Sequence, residues 1–258
     1  MSEPGRTWRR NAVYLLVFWV ALLALSLSVL SSVITPFLRT LQTQDVVSTS
    51  WAGYAVGSNL LLRQPAVVAV NGSWTVPAVN VSEDNRYSSA WIGIGGQSDH
   101  TLIQVGTEHD SLNGQAKYSA WYEMLPDNSI AIPEVAVSSG DRITASVSLV
   151  DTEENEWLVE IHNLSNGQGF SQIFTYNSSM LSAEWVVERP MVNNQTTTLT
   201  DFGSVTFTNA TAQLRSKVGT ISSFPNYAIV MSTAQNVKLT QVSPLSKDGS
   251  SFNVTYIG

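Results

Sequence analysis

The residues Ser182-Ala183-Glu184-Trp185-Val186-Val187-Glu188 give the clearest strand signal in this chain. Its centre consists of aromatic and β-branched residues, which are typical of a β-strand. Because strand side chains alternate between the two faces of a sheet, Glu184 and Glu188 point to one face and Trp185 points to the other. If the acidic face is half-buried, desolvation and mutual repulsion raise the pKa of both carboxyls. Taken alone, the stretch equally fits an ordinary strand with a solvated acidic face.

The rest of the chain from residue 48 to residue 258 also consists of short apolar runs separated by turn signals, and no long run with helical periodicity occurs there. Closely spaced short strands predict an all-β domain, an antiparallel sandwich or barrel. The predicted strands are 66–76, 89–94, 101–105, 117–124, 142–149, 156–161, 169–176, 184–188, 203–208, 228–231 and 253–257.

The composition excludes several classes of function. Only 13% of the 258 residues are charged, against roughly 25% in an average soluble protein, and the formal net charge is −7. A negative chain without a basic run is a poor match to the phosphate backbone of nucleic acids, so we expect no nucleic-acid partner. Cysteine is absent, which excludes disulfides, thiolate metal sites and a cysteine nucleophile.

The amino-terminal segment predicts export. Residues 1–10 carry three arginines and precede an uncharged apolar stretch, residues 11–38, which is long enough to span a bilayer as one hydrophobic helix. The positive flank places residues 1–10 in the cytoplasm, so residues 11–38 are a signal anchor or, as the alternative, a cleaved signal peptide. Residues 39–47 are then a linker or a short propeptide, and residues 48–258 are an extracellular β-sandwich domain.

Sequons support the same prediction. Asn-x-Ser/Thr sequons, the acceptors of N-linked glycans in exported proteins, occur at Asn71, Asn80, Asn163, Asn177, Asn194, Asn209 and Asn253.

The histidines give little support for catalysis or metal binding. His100, His109 and His162 are not accompanied by a Gly-x-Ser-x-Gly elbow, so a serine triad is not expected. The run Glu108-His109-Asp110 matches no zinc-ligand spacing, and consecutive strand residues point apart, so we expect a solvated loop there. We therefore predict neither a metal nor another cofactor.

Three further segments place chemical groups on strands, although ordinary packing would also explain each of them. Trp91-Ile92-Gly93-Ile94-Gly95 puts a large ring on the same face as two glycines. Leu102-Ile103-Gln104-Val105-Gly106 has one long polar side chain in an apolar run, and Ala120-Trp121-Tyr122-Glu123 puts Trp121 and Glu123 on one face. A buried glutamine needs hydrogen-bond partners, and a glutamate on a neighbouring strand is a natural one.

In this order, these segments resemble the glutamic peptidases, the eqolisin family of secreted fungal acid proteases. The resemblance begins at Ser50-Trp51-Ala52-Gly53-Tyr54 and extends to about Ala212, through the motifs quoted above and Ser139-Gly140-Asp141. It implies a β-sandwich of two large antiparallel sheets, of concanavalin-like or jelly-roll type. It also implies a catalytic Gln–Glu dyad.

Motif by motif, the resemblance assigns catalysis to Gln104 and Glu184. It places the supporting and substrate-binding residues Trp91, Trp121, Glu123 and Glu188 in the active-site cleft. Three positions depart from the family pattern: Gly95 and Ser119 replace acidic residues, and Leu125 replaces an aromatic residue.

The expected function is that of an extracytoplasmic acid endopeptidase that is metal-independent and monomeric and acts on polypeptides. Two alternatives come from other classes. Exposed tryptophans and carboxylates also suit a carbohydrate-binding or adhesive sandwich without catalysis. Paired glutamates also serve glycosidases, whose carboxyl groups are about 5–5.5 Å or about 6.5–9.5 Å apart.

Overall fold

Strands account for nearly all regular structure in the residues that the computed structural model describes, 45–58, 64–97, 99–192 and 195–258. In chain order they are β1 (Val46–Ser48), β2 (Trp51–Val56), β3 (Val67–Thr75), β4 (Ser89–Gly95), β5 (Leu102–Leu112), β6 (Gln115–Met124), β7 (Ile130–Ala131), β8 (Arg142–Asp151), β9 (Glu156–Asn163), β10 (Gln168–Thr175), β11 (Ala183–Glu188), β12 (Met191–Val192), β13 (Gln195–Thr196), β14 (Ser204–Leu214), β15 (Lys217–Thr220), β16 (Asn226–Met231), β17 (Thr240–Val242) and β18 (Phe252–Tyr256). A short 3-10 turn, Ile221–Ser223, follows β15. The predicted all-β class is confirmed.

The hydrophobic helix predicted for residues 11–38 lies outside the described residues. Within the described ranges, no helix has the length and apolar character needed to cross a membrane.

Two eight-stranded sheets form a sandwich. The front sheet has the order β1-β16-β2-β11-β4-β5-β6-β7. The back sheet has the order β10-β9-β8-β3-β14-β18-β17, with β15 paired to β14. Strand pairs in both sheets are antiparallel except β1 with β16, which is parallel. The predicted sandwich of two large antiparallel sheets is therefore confirmed.

The main core lies between the sheets and is built by side-chain alternation. On β11, Ala183, Trp185 and Val187 belong to this core, as the two-residue period of residues 182–188 predicts. The indole Nε1 of Trp185 donates to the carbonyl oxygen of Asn71 on β3 at 2.8 Å, which ties the two sheets together. A Cβ atom at Gly72 would stand 2.9 Å from Cδ1 of Trp185, so glycine there admits the large ring.

Strand β5 corrects one expectation. Glu108-His109-Asp110, predicted as a solvated loop, lies inside this strand, and the His109 side chain is fully buried. β5 pairs with β6 along its whole length to a tight turn at Asn113-Gly114, where both residues have positive φ (51° and 71°). Pairing between the two strands extends β5 through a polar run that sequence alternation alone assigns to a loop.

The chain joins the front sheet before the predicted domain start at residue 48. Val46, Val47 and Ser48 pair with Ile229, Val230 and Met231 on β16. Part of the predicted 39–47 linker is thus an edge strand.

Candidate active site

The predicted dyad, Glu184 and Gln104, lies on a line of paired residues that crosses four neighbouring strands of the front sheet. Glu184 on β11 is opposite Gly93 on β4, Gly93 is opposite Gln104 on β5, and Gln104 is opposite Glu123 on β6. Since neighbouring strands are about 4.8 Å apart, the Cα atoms of Glu184 and Gln104 are roughly 10 Å apart. Gly93 has no side chain, so nothing from β4 stands between the two functional groups. We call this line the dyad row.

The dyad row lies on the face of the front sheet that points away from the back sheet. This face carries a second buried apolar cluster, separate from the main core, formed by Trp91, Leu102, Trp121 and Val186. Val186 lies between Glu184 and Glu188 on the same face of β11, so the carboxyls flank the aromatic cluster.

Glu184 is fully buried, and neither of its carboxylate oxygens has a hydrogen-bond partner among the described residues. Burial raises the pKa of this carboxyl well above its ordinary value, and the negative charge of Asp99 raises it further. The nearby Ser182 hydroxyl opposes the shift, although it makes no hydrogen bond of ordinary geometry to the carboxyl. A buried carboxyl with unused acceptor oxygens is suited to take up and return a proton.

Gln104 is oriented by Glu123. Its side chain is 3% exposed, and its amide Nε2 donates to Oε2 of Glu123. This contact is the Gln–Glu pairing between neighbouring strands that the sequence predicts. Because a carboxylate only accepts, it holds the NH₂ group toward β6 and leaves the amide oxygen Oε1 of Gln104 without a partner among the described residues.

Glu123 is only partly buried. Burial raises the pKa of its carboxyl, the hydrogen bonds from Gln104 and the Ser129 backbone oppose the shift, and Glu108 adds to it.

Glu188 is held by indole groups. Nε1 of Trp91 donates to Oε2 of Glu188 at 2.7 Å, and the ring of Trp91 meets the ring of Trp51 edge-on at 4.9 Å between centroids. Burial raises the pKa of Glu188 to about 7, while Trp91 and Trp51 favour the charged form and Glu123 opposes it. Sequence reasoning quoted Trp51 only as part of a motif and gave it no role.

Glu184 and Glu188, which share a face of β11, do not act as a pair. Four residues of strand place them about 13 Å apart along β11. The charge that raises the pKa of Glu184 belongs to Asp99, and the charge that acts on Glu188 belongs to Glu123. The sequence predicted that Glu184 and Glu188 raise each other's pKa. The charges that raise these pKa values lie instead on other parts of the chain, at Asp99 and Glu123.

Two further carboxyls on the same face, Glu108 and Asp110, lie in the segment that was predicted as a loop. Asp110 is 6% exposed, and burial together with the charge of Glu108 raises its pKa to about 7. Glu108 has a raised pKa because of burial, and it accepts a hydrogen bond from Ser119 at 3.2 Å. The alternation Gln104, Gly106, Glu108, Asp110 was the available signal, but it was hidden by the assignment of a loop.

The three histidines lie outside the dyad row. His109 points into the core, where its Nε2 lies 2.7 Å from Oγ1 of Thr107 and burial lowers its pKa to about 3. His162 and His100 are both exposed. Within the described part of the chain, no three metal-ligating side chains stand close enough to hold an ion.

Comparison with solved structures defines the class of protein. The fold is that of scytalido-glutamic peptidase, crystallised with a peptide-based transition-state analogue, with a TM-score of 0.68, 20% identity and coverage of 81% of this chain and 99% of that chain. It is also that of aspergilloglutamic peptidase from Aspergillus niger, with a TM-score of 0.60, 30% identity and coverage of 67% and 99% of the two chains.

The sequence places the chain within that class. Residues 49–256 match the Peptidase A4 family. The chain is 31% identical over 240 residues to Aspergillopepsin-2 of Aspergillus niger, covering 83% of this chain and 80% of that protein. The chain belongs to the Peptidase A4 family and is a glutamic endopeptidase that hydrolyses polypeptides.

Proposed function

We propose that this endopeptidase cleaves peptide bonds with Glu184 and Gln104 acting together on one water molecule and one scissile carbonyl. The observation that carries the proposal is the dyad row, in which Gly93 leaves the space between the two side chains open. The membership in a peptidase family favours this role over a carbohydrate-binding or adhesive sandwich. The separation of Glu184 and Glu188 gives no support to a glycosidase pair.

In the proposed reaction, the carboxylate of Glu184 accepts a proton from the attacking water and later gives it to the leaving amine. The second N–H of the Gln104 amide donates to the oxygen of the tetrahedral intermediate. One such donor contributes about 3 to 4 kcal/mol of transition-state stabilisation in a studied hydrolase. Glu123 holds the amide in the orientation that makes this donation possible.

Trp91, Trp121 and Glu188 have supporting roles in the proposal. The buried rings of Trp91 and Trp121 form an apolar layer beside the dyad row, which excludes water from the two side chains. Glu188 fixes the ring of Trp91 through its indole N–H. The reaction uses no metal or other cofactor.

The pH dependence follows from the ionised form that the mechanism requires. Since Glu184 must be a carboxylate to accept a proton, kcat/KM rises with pH as this buried group ionises, at a pH above the ordinary glutamate pKa. At the upper end of the pH range, Glu188 and Asp110 ionise, since each has a pKa of about 7. Because both carboxyls are buried on the front sheet, their charges destabilise the folded site. We therefore expect kcat/KM to have its optimum in acid and to fall at both lower and higher pH.

Digestion of a denatured protein across pH 2–7 tests the dyad. Glu184→Gln and Gln104→Ala should each abolish cleavage while circular dichroism stays unchanged. Glu160→Gln, on the outer face of the back sheet where the carboxylate contacts Ser146 and Ser171, is the matched control and should cleave normally. Robust cleavage by either dyad variant would overturn the assignment, and loss of wild-type activity with a chelator would contradict metal independence.

We also propose an extracytoplasmic location, with residues 11–38 as a membrane anchor or a cleaved signal. Their apolar length and arginine flank support this. Extraction of the full-length protein only by detergent would indicate an anchor, whereas release in soluble, shortened form would indicate cleavage. Retention of the intact chain in the cytosol would contradict both.

A further inference from the structure

Four adjacent strands of the back sheet, β3, β14, β18 and β17, contain no charged residue. Side chains that point inward from them, such as Val70 and Phe207, belong to the main core. Those that point outward carry hydroxyl and amide groups, among them Ser73, Thr206 and Thr211. Because surface charge keeps a protein soluble, an outer face without charge needs another source of solubility or a cover.

Three of the Asn-x-Ser/Thr sequons lie on this face. Asn71 on β3 and Asn253 on β18 each stand between two inward-facing residues, so their side chains point outward, and both are exposed. Asn209 lies in the bulge that interrupts the pairing of β14 with β3, and it is exposed, with a φ of 52°. Asparagine is one of the few residues that adopt positive φ readily, and the extra residue of a bulge is unpaired.

These three asparagines lie close together. β14 is the strand between the other two, and it pairs Thr211 with Asn71 and Thr206 with Asn253. The distance along β14 from Thr206 to Thr211 is roughly 15 Å, and Asn209 lies between them. We call Asn71, Asn209 and Asn253 the sequon patch.

The amide nitrogens of the sequon patch are available for reaction. Among the described residues, Nδ2 of Asn71, of Asn209 and of Asn253 donates no hydrogen bond. The contact of the Asn253 side chain is through its oxygen, since Oδ1 accepts from the Thr206 hydroxyl at 2.5 Å. A sugar on Nδ2 would therefore displace no interaction of the fold.

Asn163 shows the opposite arrangement. This sequon asparagine is fully buried, and its Nδ2 donates to the carbonyl oxygen of Ala136 at 2.9 Å and to Oδ2 of Asp141 at 2.7 Å. Both N–H groups are thus used inside the fold. A sugar on Asn163 would remove one of these bonds and would have no room in the interior.

We propose that N-linked glycans at Asn71, Asn209 and Asn253 cover the outer face of the back sheet. The inference rests on the proposed extracytoplasmic location. In each transfer, Nδ2 forms a bond to the anomeric carbon of an oligosaccharide that is carried on a polyprenyl phosphate lipid. The bond from that carbon to the phosphate oxygen breaks, the lipid phosphate leaves with the electron pair, and Nδ2 loses one proton.

The glycans supply the solubility that the uncharged strands lack, because N-linked sugars are bulky and hydrated. They do not obstruct the dyad row, which lies on the outer face of the front sheet, on the other side of the sandwich. The two outer faces therefore have separate roles, one in catalysis and one in solubility.

The test is mass spectrometry of proteolytic peptides from the full-length protein, purified from the cells that make it naturally. Peptides with Asn71, Asn209 and Asn253 should each carry a glycan, and the peptide with Asn163 should be unmodified. An exported chain without sugar on the sequon patch would overturn the inference and leave the proposed location intact. A chain found only in the cytosol would overturn both, and a glycan on Asn163 in the active enzyme would overturn the choice of sites.

Thr211→Val and Thr211→Ser are matched variants of one sequon, and both keep Asn209 itself. Valine has nearly the size of threonine but lacks the hydroxyl that a sequon requires, so this variant should lose one glycan. Serine retains the hydroxyl and should retain the glycan. A glycan still present on Asn209 in Thr211→Val, or lost in Thr211→Ser, would contradict the assignment.

A second readout tests the covering role. Removal of the glycans with an endoglycosidase should increase aggregation, measured by light scattering, and leave kcat/KM for a small peptide unchanged. Unchanged aggregation would contradict the cover. An exported chain that lacks the glycans and is a dimer in analytical ultracentrifugation would assign the face to a second copy and overturn the inference.

Discussion

Glu188 depends on two indole groups for its charged form. Burial disfavours ionisation of this carboxyl, while the N–H of Trp91 and the indole of Trp51 favour it. The other tryptophan on this face, Trp121, has an Nε1 without a partner among the described residues. Trp91 and Trp121 therefore differ in one polar contact, although both are large buried rings.

This difference predicts a pH-dependent effect of Trp91→Phe. The substitution keeps an aromatic ring but removes the donor to Glu188, so it should lower the free energy of unfolding most where Glu188 is ionised, above pH 7. The loss should be about 1.5–3 kcal/mol there, because a bond to a charged group is lost, against about 0.5–1.5 kcal/mol at pH 4, where the protonated carboxyl still accepts a neutral hydrogen bond. Urea unfolding at pH 4 and pH 8 measures it. Trp121→Phe should give a loss that does not depend on pH, and an equal pH dependence in both variants would contradict the assigned hydrogen bond.

At the scale of elements, the edge strand β1 supports the strand that enters the site. Ser48 Oγ accepts from the backbone N–H of Ser50 at 3.1 Å and of Trp51 at 3.0 Å, and the carbonyl oxygen of Ser48 accepts from Ser232 at 2.9 Å. Trp51 then contacts Trp91. A segment predicted in part as a linker is therefore connected through Trp51 to Trp91, beside the dyad row.

Removal of β1 should weaken both stability and activity. A chain that begins at Thr49 loses three parallel pairings and the Ser48 contacts, so its free energy of unfolding should fall by about 1–3 kcal/mol relative to a chain that begins at Asp45. Ser48→Ala should lose only part of this, about 1 kcal/mol. Urea midpoints and kcat/KM of the three chains give the comparison. Equal stability of the chains beginning at Asp45 and Thr49 would mean that β1 is only loosely attached.

At the scale of the whole molecule, the raised carboxyl pKa values predict a protein that is most stable in acid. A carboxyl whose folded pKa is above its unfolded pKa binds more protons in the folded state, so it stabilises the fold at low pH and loses this contribution as pH rises through the folded pKa. Asp110 and Glu188, both at about 7, place the loss between about pH 4 and pH 7. His109 acts in the opposite sense, since its pKa of about 3 makes the fold weaker as pH falls from about 6.5 toward 3.

The carboxyls outnumber the one histidine, so the free energy of unfolding should fall by a few kcal/mol from pH 4 to pH 7.5. Urea unfolding at several pH values measures the slope. In Asp110→Asn the slope should be reduced, because one raised carboxyl is removed without changing its size. A midpoint that rises steadily from pH 4 to pH 7.5 would contradict the assigned shifts.

The sequence by itself determined the strands and the faces that they present, because side-chain alternation is a local property of each strand. The face shared by Glu184 and Glu188 follows from the period-two pattern of their strand. The need of a buried amide for a partner predicts a glutamate on a strand next to Gln104, but not that this glutamate is Glu123. The assignment of catalysis to Gln104 and Glu184 came from the resemblance to the glutamic peptidases.

Only the tertiary structure decided which residues share a row across the sheet. Register depends on pairing between strands that are far apart in sequence, such as β4 (Ser89–Gly95) and β11 (Ala183–Glu188), and no local pattern specifies it. The register put Gly93 between Glu184 and Gln104 and extended β5 through His109. The charge that adds to the raised pKa of Glu184 is likewise that of Asp99, in the loop between β4 and β5, where residues 182–188 alone suggested the charge of Glu188.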